Sequence, residues 1–128
     1  MTPEAIRAWH GFVRSRDPAA LRALLAEDAV FESPVVHTPQ VGRPIVEKYL
    51  LGAMSVLGND SFRYEGEWFA DRSAVLEFAC EIDGIRINGV DMIRWDEGGR
   101  IIHFKVMVRP LKAINLLHQK MGALLAAG

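Results

Sequence analysis

Asp91 is the side chain whose type and position most strongly suggest chemistry. It lies between Ile85 and Trp95, where alternate positions read Ile, Ile, Gly, Asp, Ile and Trp. Because strand side chains alternate between the two faces of a sheet, this carboxyl group points into an otherwise apolar face. A lone buried charge costs several kcal/mol, so such a group becomes neutral, acquires hydrogen-bond donors or does chemistry. The pattern therefore predicts a buried acid at the centre of a candidate site.

Other residue patterns that carry chemistry are few. His37 lies in a loop, where an imidazole could act as a base, although a solvent-exposed loop histidine is the commoner case. His103 and His118 are far from His37 in sequence and lack the spacing of metal ligands. The sequence contains no phosphate-binding glycine loop, no dinucleotide fingerprint and no Gly-x-Ser-x-Gly motif. We expect neither a metal nor a cofactor.

The composition predicts a single globular domain spanning residues 1–128. Half of the residues are hydrophobic, 24% are charged and the net charge is −1, so nothing favours nucleic acid or acidic lipid as a partner. No apolar run reaches the roughly 18 residues that span a bilayer, and the amino terminus does not resemble a signal peptide. Cys80 is the only cysteine, which excludes an internal disulfide. These features predict a cytoplasmic protein without membrane contact.

Helical periodicity dominates the first half of the chain. Thr2, Pro3 and Glu4 predict a helix start, with a capping hydroxyl, a proline in the first helical position and an acid in the first turn. Asp17 and Pro18 repeat this signal for a short second helix that continues to residue 25. The first helix has apolar residues at helical spacing, among them Ile6, Trp9 and Val13.

A short strand over residues 29–31 is predicted to end at Ser33, and a loop over 34–44 follows. A third helix is predicted over 45–57, with one face formed by Ile45, Tyr49, Ala53 and Val56.

Strand periodicity dominates the second half. Four strands are predicted over residues 62–69, 74–82, 85–95 and 101–108, with a tight two-residue hairpin at Asp83-Gly84 and a slightly longer one at Glu97-Gly98-Gly99. Pro110 should end the last strand, and a closing amphipathic helix is predicted from Leu111 to Leu125. Helices followed by a meandering antiparallel sheet predict an α+β fold. If this sheet curves around the helices, it leaves a hydrophobic pocket at its mouth.

Several strings of this sequence resemble one known family. Residues 17–21, 27–34, 41–45 and 89–101 are similar to the nuclear transport factor 2-like, or SnoaL-like, superfamily, and within it to the ketosteroid isomerases. The resemblance covers nearly the whole chain. It implies a cone formed by a bent sheet and N-terminal helices, with an internal hydrophobic pocket, often in a homodimer.

The resemblance also implies roles for single residues. Asp91 stands where ketosteroid isomerases keep a protonated aspartic acid that donates a hydrogen bond to the developing enolate oxygen. Ser33 stands where they have their aspartate base, Trp9 where they have a tyrosine, and Tyr49 where an aromatic ring faces the pocket. A serine cannot abstract a proton without an activator, and an indole donates but cannot accept. We therefore do not expect a steroid-type double-bond shift by the usual route, and His37 is the candidate replacement base.

A related enzyme, limonene epoxide hydrolase, uses two aspartates bridged by an arginine. By analogy the last strand of this chain presents Val106 and Val108 to the pocket, so that arrangement is not evident. Either pocket wall or core packing explains the remaining candidate ligand contacts, which are Val13, Leu76, Phe78, Cys80, Ile93, Phe104, Val106 and Val108.

Three functions remain open from the sequence. The first is a cofactor-independent enzyme that acts on a small hydrophobic carbonyl or polycyclic molecule through acid/base chemistry at Asp91, by isomerisation, cyclisation, dehydration or hydrolysis. The second is a non-catalytic pocket for a hydrophobic ligand. The third is a dimerisation domain, because Val90, Met92 and Met107 form an apolar outer sheet face that could meet a second copy.

Overall fold

The computed structural model describes residues 1–127, which form four helices and six strands. In chain order these are α1 (Glu4–Ser15), α2 (Pro18–Leu24), β1 (Leu25–Glu32), β2 (Gln40–Val41), α3 (Arg43–Leu57), β3 (Arg63–Ala70), β4 (Ser73–Ile82), β5 (Ile85–Trp95), β6 (Ile101–Arg109) and α4 (Leu111–Ala127).

The six strands form one curved, open sheet in the order β2-β1-β6-β5-β4-β3. Strands β3 to β6 are an antiparallel meander, and β1 pairs with β6 in parallel. The predicted α+β fold, with N-terminal helices and a curved sheet, is confirmed. The parallel pair was not predicted, because no hairpin links β1 to β6 and their relative direction is decided by the intervening chain.

Helix α1 packs an apolar stripe against the sheet. Ile6, Trp9 and Phe12 follow helical spacing, and all are at most 1% exposed. The Trp9 ring lies 4.8 Å from the ring of Phe104 in β6 and 5.4 Å from that of Phe12, measured between centroids. This packing fixes the position of the Trp9 indole on the inner face of the sheet.

The predicted helix starts hold in part. The prediction that the Thr2 hydroxyl caps α1 is wrong, because Pro3 is the N-cap residue and no side chain caps this helix. Asp17 does cap α2, since its Oδ1 accepts a hydrogen bond from the Ala19 amide at 3.0 Å, and Pro18 is the first helical residue. Leu25, predicted as helical, begins β1 instead.

The strands of the second half agree closely with their predicted bounds. Strand β5 spans the predicted residues, and the turn before it has positive φ at both Asp83 (52°) and Gly84 (77°), as a tight two-residue hairpin requires. The two-residue strand β2 was not predicted, because so short a segment has no period to detect.

The closing helix α4 is confirmed. It buries Ala113, Leu116 and Leu117 and covers the open end of the sheet's inner face. Within residues 1–127, no helix combines the length and the apolar content needed to cross a membrane.

Candidate functional site

Asp91 lies at the centre of the sheet. Its Cα pairs with Leu76 in β4 and Val106 in β6, so apolar strands flank it on both sides. Asp91 is 6% exposed and is the one buried charged residue in the described part of the chain. The buried acid predicted from the alternation of β5 is therefore present.

Two aromatic side chains orient the Asp91 carboxyl. The hydroxyl of Tyr64 in β3 donates a hydrogen bond to Asp91 Oδ2 at 2.6 Å. The indole nitrogen of Trp9 donates to the Tyr64 hydroxyl oxygen at 2.9 Å. Because an indole N–H can only donate, the Tyr64 oxygen must accept there, and its single proton is free to point at Asp91. Trp9 therefore determines the direction of the whole chain of hydrogen bonds.

The second carboxyl oxygen of Asp91 faces the cavity. No described residue forms a hydrogen bond with Asp91 Oδ1. Every fully buried side-chain oxygen among the described residues has a hydrogen-bond partner, so Oδ1 is not fully buried. Oδ1 is thus accessible, and Asp91 belongs to the cavity lining. Since Oδ2 is occupied as an acceptor, Oδ1 is the oxygen left to carry the proton of the neutral acid.

The surroundings hold Asp91 close to the midpoint of its titration. Burial raises the pKa of Asp91 from its ordinary 3.8 to about 7, and the hydrogen bond from Tyr64 opposes part of that rise. Burial, followed by the adjacent Asp91 carboxylate, raises the pKa of Tyr64 well above its ordinary 10, so Tyr64 keeps its proton. At neutral pH Asp91 can therefore either donate or accept a proton at Oδ1.

The cavity beside Asp91 has a volume of about 230 Å³ and mostly apolar walls. It lies between the inner face of the sheet and residues of α1, α3 and α4. Of the residues predicted to contact a ligand, the structure brings together around this cavity Trp9, Ser33, Tyr49, Phe78, Asp91, Phe104 and Val106.

The other predicted residues lie elsewhere. Leu76, Cys80 and Ile93 are buried in the core, and Val13 packs against it from α1. His37 is exposed and, with Val108, lines a separate shallow groove on the other side of Ser33 and Pro34. Ile45, expected to share a face with Tyr49, is 37% exposed.

The hydroxyl of Ser33 forms hydrogen bonds with the backbone of the turn that follows it. Its Oγ accepts hydrogen bonds from the backbone amides of Val35 at 2.9 Å and Val36 at 3.2 Å. This arrangement shapes the turn after β1 and directs the Ser33 lone pairs away from any proton transfer. The described residues around Ser33 include no side chain that activates it.

Sequence reasoning missed Tyr64, which makes the closest contact with Asp91. One signal was available: Phe62 and Tyr64 are two residues apart at the start of a predicted strand, so they share a face. The register shift between Tyr64 and Gly66, which changes the alignment of β3 on β4, had no such signal. The cavity-facing residues of α4, among them His118 and Met121, were also missed.

Within residues 1–127, no three His, Cys, Asp or Glu side chains are arranged to hold a metal ion. The polar atoms of the cavity are instead single groups of different chemistry: a carboxyl oxygen, two hydroxyls and one imidazole, from Asp91, Ser33, Tyr49 and His118. The site is therefore a buried acid in a small, mostly apolar cavity on the inner face of a curved sheet.

The SnoaL-like domain model matches residues 6–104 of this chain. The chain therefore belongs to the SnoaL-like family, and the resemblance to nuclear transport factor 2-like proteins is confirmed. No curated protein matches it.

Solved structures are similar over almost the full chain. A steroid delta-isomerase from Pseudomonas aeruginosa is 40% identical with a TM-score of 0.90, covering 96% of this chain and 90% of that one. An uncharacterised protein with a cystatin-like fold from Silicibacter pomeroyi is 32% identical with a TM-score of 0.89, covering 96% and 86%. An NTF2-like protein of unknown function from Mesorhizobium loti is 25% identical with a TM-score of 0.72, covering 84% and 89%.

Proposed function

We propose that this protein is a cofactor-independent enzyme that acts on a small apolar carbonyl compound, with Asp91 as its proton carrier. The observation that carries the proposal is the free Oδ1 of a buried acid, facing an apolar cavity, with a pKa of about 7. General acids and bases work best when their pKa is near the working pH. The similar Pseudomonas aeruginosa protein is called a steroid delta-isomerase, which supports carbonyl chemistry of the isomerase type.

The hydrogen-bond chain explains how Asp91 would act. With Tyr64 donating to Oδ2, the neutral carboxyl offers the Oδ1 proton to a carbonyl oxygen in the cavity. Charge that develops on this oxygen during enolisation would be stabilised by the hydrogen bond from the Asp91 carboxyl, within mostly apolar walls. Trp9 and Tyr64 have no free donor toward the cavity in this arrangement, so they position Asp91 and do not bind the ligand oxygen themselves.

The cavity volume limits the ligand. At about 230 Å³ it lies below the roughly 300–1,000 Å³ of common ligand pockets, so a compact molecule of one or two rings fits the proposal best.

The test is enolisation of 2-tetralone, a two-ring ketone, followed by NMR as exchange of its α-protons in D₂O at pH 7. We expect the protein to accelerate exchange, and Asp91→Asn to lose about 100-fold of that acceleration, because an amide cannot transfer the proton. Asp71→Asn, which changes an exposed turn aspartate, is the matched control and should exchange at the rate of the unaltered protein. Undiminished exchange in Asp91→Asn would rule the proposal out.

A second candidate function is ligand binding without catalysis. It is favoured by Ser33, which stands where related isomerases have their base and whose Oγ accepts two backbone hydrogen bonds. This candidate predicts that 2-naphthol, a phenol of the same shape, binds and quenches tryptophan fluorescence while 2-tetralone exchange stays at the buffer rate.

We also propose that two copies associate through the outer face of the sheet. Trp68 pairs with Val75 and Val75 with Met92, and in a neighbouring row Val90 pairs with Met107. Apolar residues therefore occur on four adjacent strands, beside the charged ends of these rows at Lys105 and Glu77. Trp68 is 58% exposed and Met107 is 51% exposed in the single chain. An apolar area of this kind is typical of surfaces that a partner covers.

A further inference from the structure

Helix α4 supplies one wall of the cavity beside Asp91. Its cavity-facing positions are about one helical turn apart and comprise Leu117, His118, Met121, Gly122 and Leu125. Helix α4 packs closely against α3 at Gly52. A Cβ atom built on this glycine would lie only 3.2 Å from Met121 Cε and 3.3 Å from Leu124 Cδ2. An ion pair of 3.1 Å between Lys120 Nζ and Asp83 Oδ2 links α4 to the β4–β5 turn. The wall is thus part of the packed fold.

His118 differs from the other polar groups of the cavity. The Trp9 N–H is already donated to Tyr64, and Ser33 Oγ already accepts two amides. Tyr49 carries a phenol hydroxyl, which can donate or accept a hydrogen bond. His118 is the one imidazole of this lining, and histidine is the side chain that most often serves as a general base.

The His118 imidazole is also available. In residues 1–127 no side chain or backbone group forms a hydrogen bond or ion pair with it, whereas His10 and His103 are paired with Glu67 and Glu32 at 2.6 Å. His118 is exposed to solvent and also belongs to the cavity lining. A group in this position can take a proton from a ligand and exchange it with water.

We infer that His118 is the base that removes the α-proton of the carbonyl ligand, in the same cavity as Asp91. This inference rests on the proposed function and completes it, because Ser33 cannot serve as the base. It assigns a second catalytic residue on an element, α4, that lies beyond the part of the chain matched by the SnoaL-like model, residues 6–104.

The proton transfer balances without a cofactor. His118 accepts the α-proton, and the electron pair of the broken C–H bond forms the C=C bond of the enol. The π electrons of the carbonyl move to its oxygen, which takes the proton from Asp91 Oδ1. Return of a proton from His118 to carbon, and of the enol proton to Asp91, regenerates both residues and yields the exchanged or isomerised ketone.

The experiment uses the full chain and 2-tetralone exchange in D₂O, with 2-naphthol binding measured in parallel. We expect His118→Gln to lose about 100-fold in exchange while 2-naphthol binds within about threefold of the unaltered protein. His118→Ala should regain part of its exchange rate when imidazole is added to the solution. Asn115→Ala, an exposed position on α4 outside the cavity lining, is the control for substitution of this helix.

The outcomes separate the two proposals. Normal exchange in His118→Gln, with exchange lost in Asp91→Asn, overturns the role of His118 and leaves the proposed function standing. Loss of exchange in His37→Gln instead would assign the base to the loop after Ser33 and overturn the inference. An equal loss of 2-naphthol binding and exchange in His118→Gln would show a packing contact and no base. Exchange at the buffer rate in the unaltered protein removes both proposals.

Discussion

Asp91 shows how three residues distant in sequence determine the chemistry of one oxygen atom. A carboxyl group in an apolar sheet face would bind its proton strongly, because burial disfavours the charge. Tyr64 limits that effect by donating to Oδ2, and Trp9 orients Tyr64. The result is an acid whose pKa of about 7 allows both protonation states at neutral pH.

This pKa predicts a pH-dependent stability. The folded state binds the Asp91 proton more tightly than the unfolded state, whose pKa is near 3.8. The stabilisation is therefore complete below about pH 4 and is lost as the pH rises through 7, by an amount on the order of 4 kcal/mol. Urea unfolding between pH 4 and 8 should show this decline in the unaltered protein and a flatter profile in Asp91→Asn.

The other titrating groups are the same in both proteins, so the difference between the two profiles isolates Asp91. Tyr64→Phe removes the hydrogen bond that lowers the pKa of Asp91 in the folded state, so the decline should then continue to a higher pH and become larger. Parallel profiles for the unaltered protein and Asp91→Asn would contradict the raised pKa.

At the scale of elements, the site depends on how closely β4, β5 and β6 approach one another. Gly89 precedes Asp91 by two residues and faces the same side of β5. A Cβ atom at this position would lie 2.5 Å from Phe78 Cζ and 2.6 Å from the Met107 carbonyl oxygen. The backbone oxygen cannot move away as a side chain could, so this position requires a glycine.

Gly89→Ala should therefore destabilise the fold by about 1–3 kcal/mol, as overpacking of a close contact does. Gly122→Ala is the matched control, because nothing lies within 4 Å of a Cβ built on that helical glycine. There the added methyl group should stabilise α4 by about 0.5–1 kcal/mol. Urea unfolding of both variants measures the contrast, and equal stabilities would show that β5 and its neighbours adjust freely.

At the scale of the whole molecule, the curved sheet has an inner face that lines the cavity and an outer face that lies away from it. Its inner face closes over the cavity, and its outer face presents Trp68, Val75, Val90, Met92 and Met107. A second copy could cover this face without blocking the cavity, so association and ligand binding are compatible.

We expect the protein to be a dimer at micromolar concentration and Met107→Asp to be a monomer, because burying a carboxylate in an apolar contact removes its water at a large free-energy cost. Leu111→Asp is the control, since Leu111 is 71% exposed but lies at the start of α4. Light scattering after size-exclusion chromatography measures the mass of each. A monomeric unaltered protein would exclude this interface.

Local patterns in the sequence determined much of the fold. The two-residue period of β5 identified the inward face and the buried Asp91, and Asp83-Gly84 identified a hairpin through its need for positive φ. The helix signals located α2 and α3 to within two residues at their starts. Each of these features depends on residues close together in the chain, and such residues can be interpreted without knowing the rest of the molecule.

Only the tertiary structure decided what surrounds Asp91. Tyr64 and Trp9 are joined across 55 residues, and Tyr64 and Asp91 across 27, through a register shift in β3. The parallel alignment of β1 and the position of His118 over the cavity likewise depend on how separate elements meet. Periodicity assigns a side chain to a face, but partners across the sheet depend on register, bulges and packing, which long-range contacts determine.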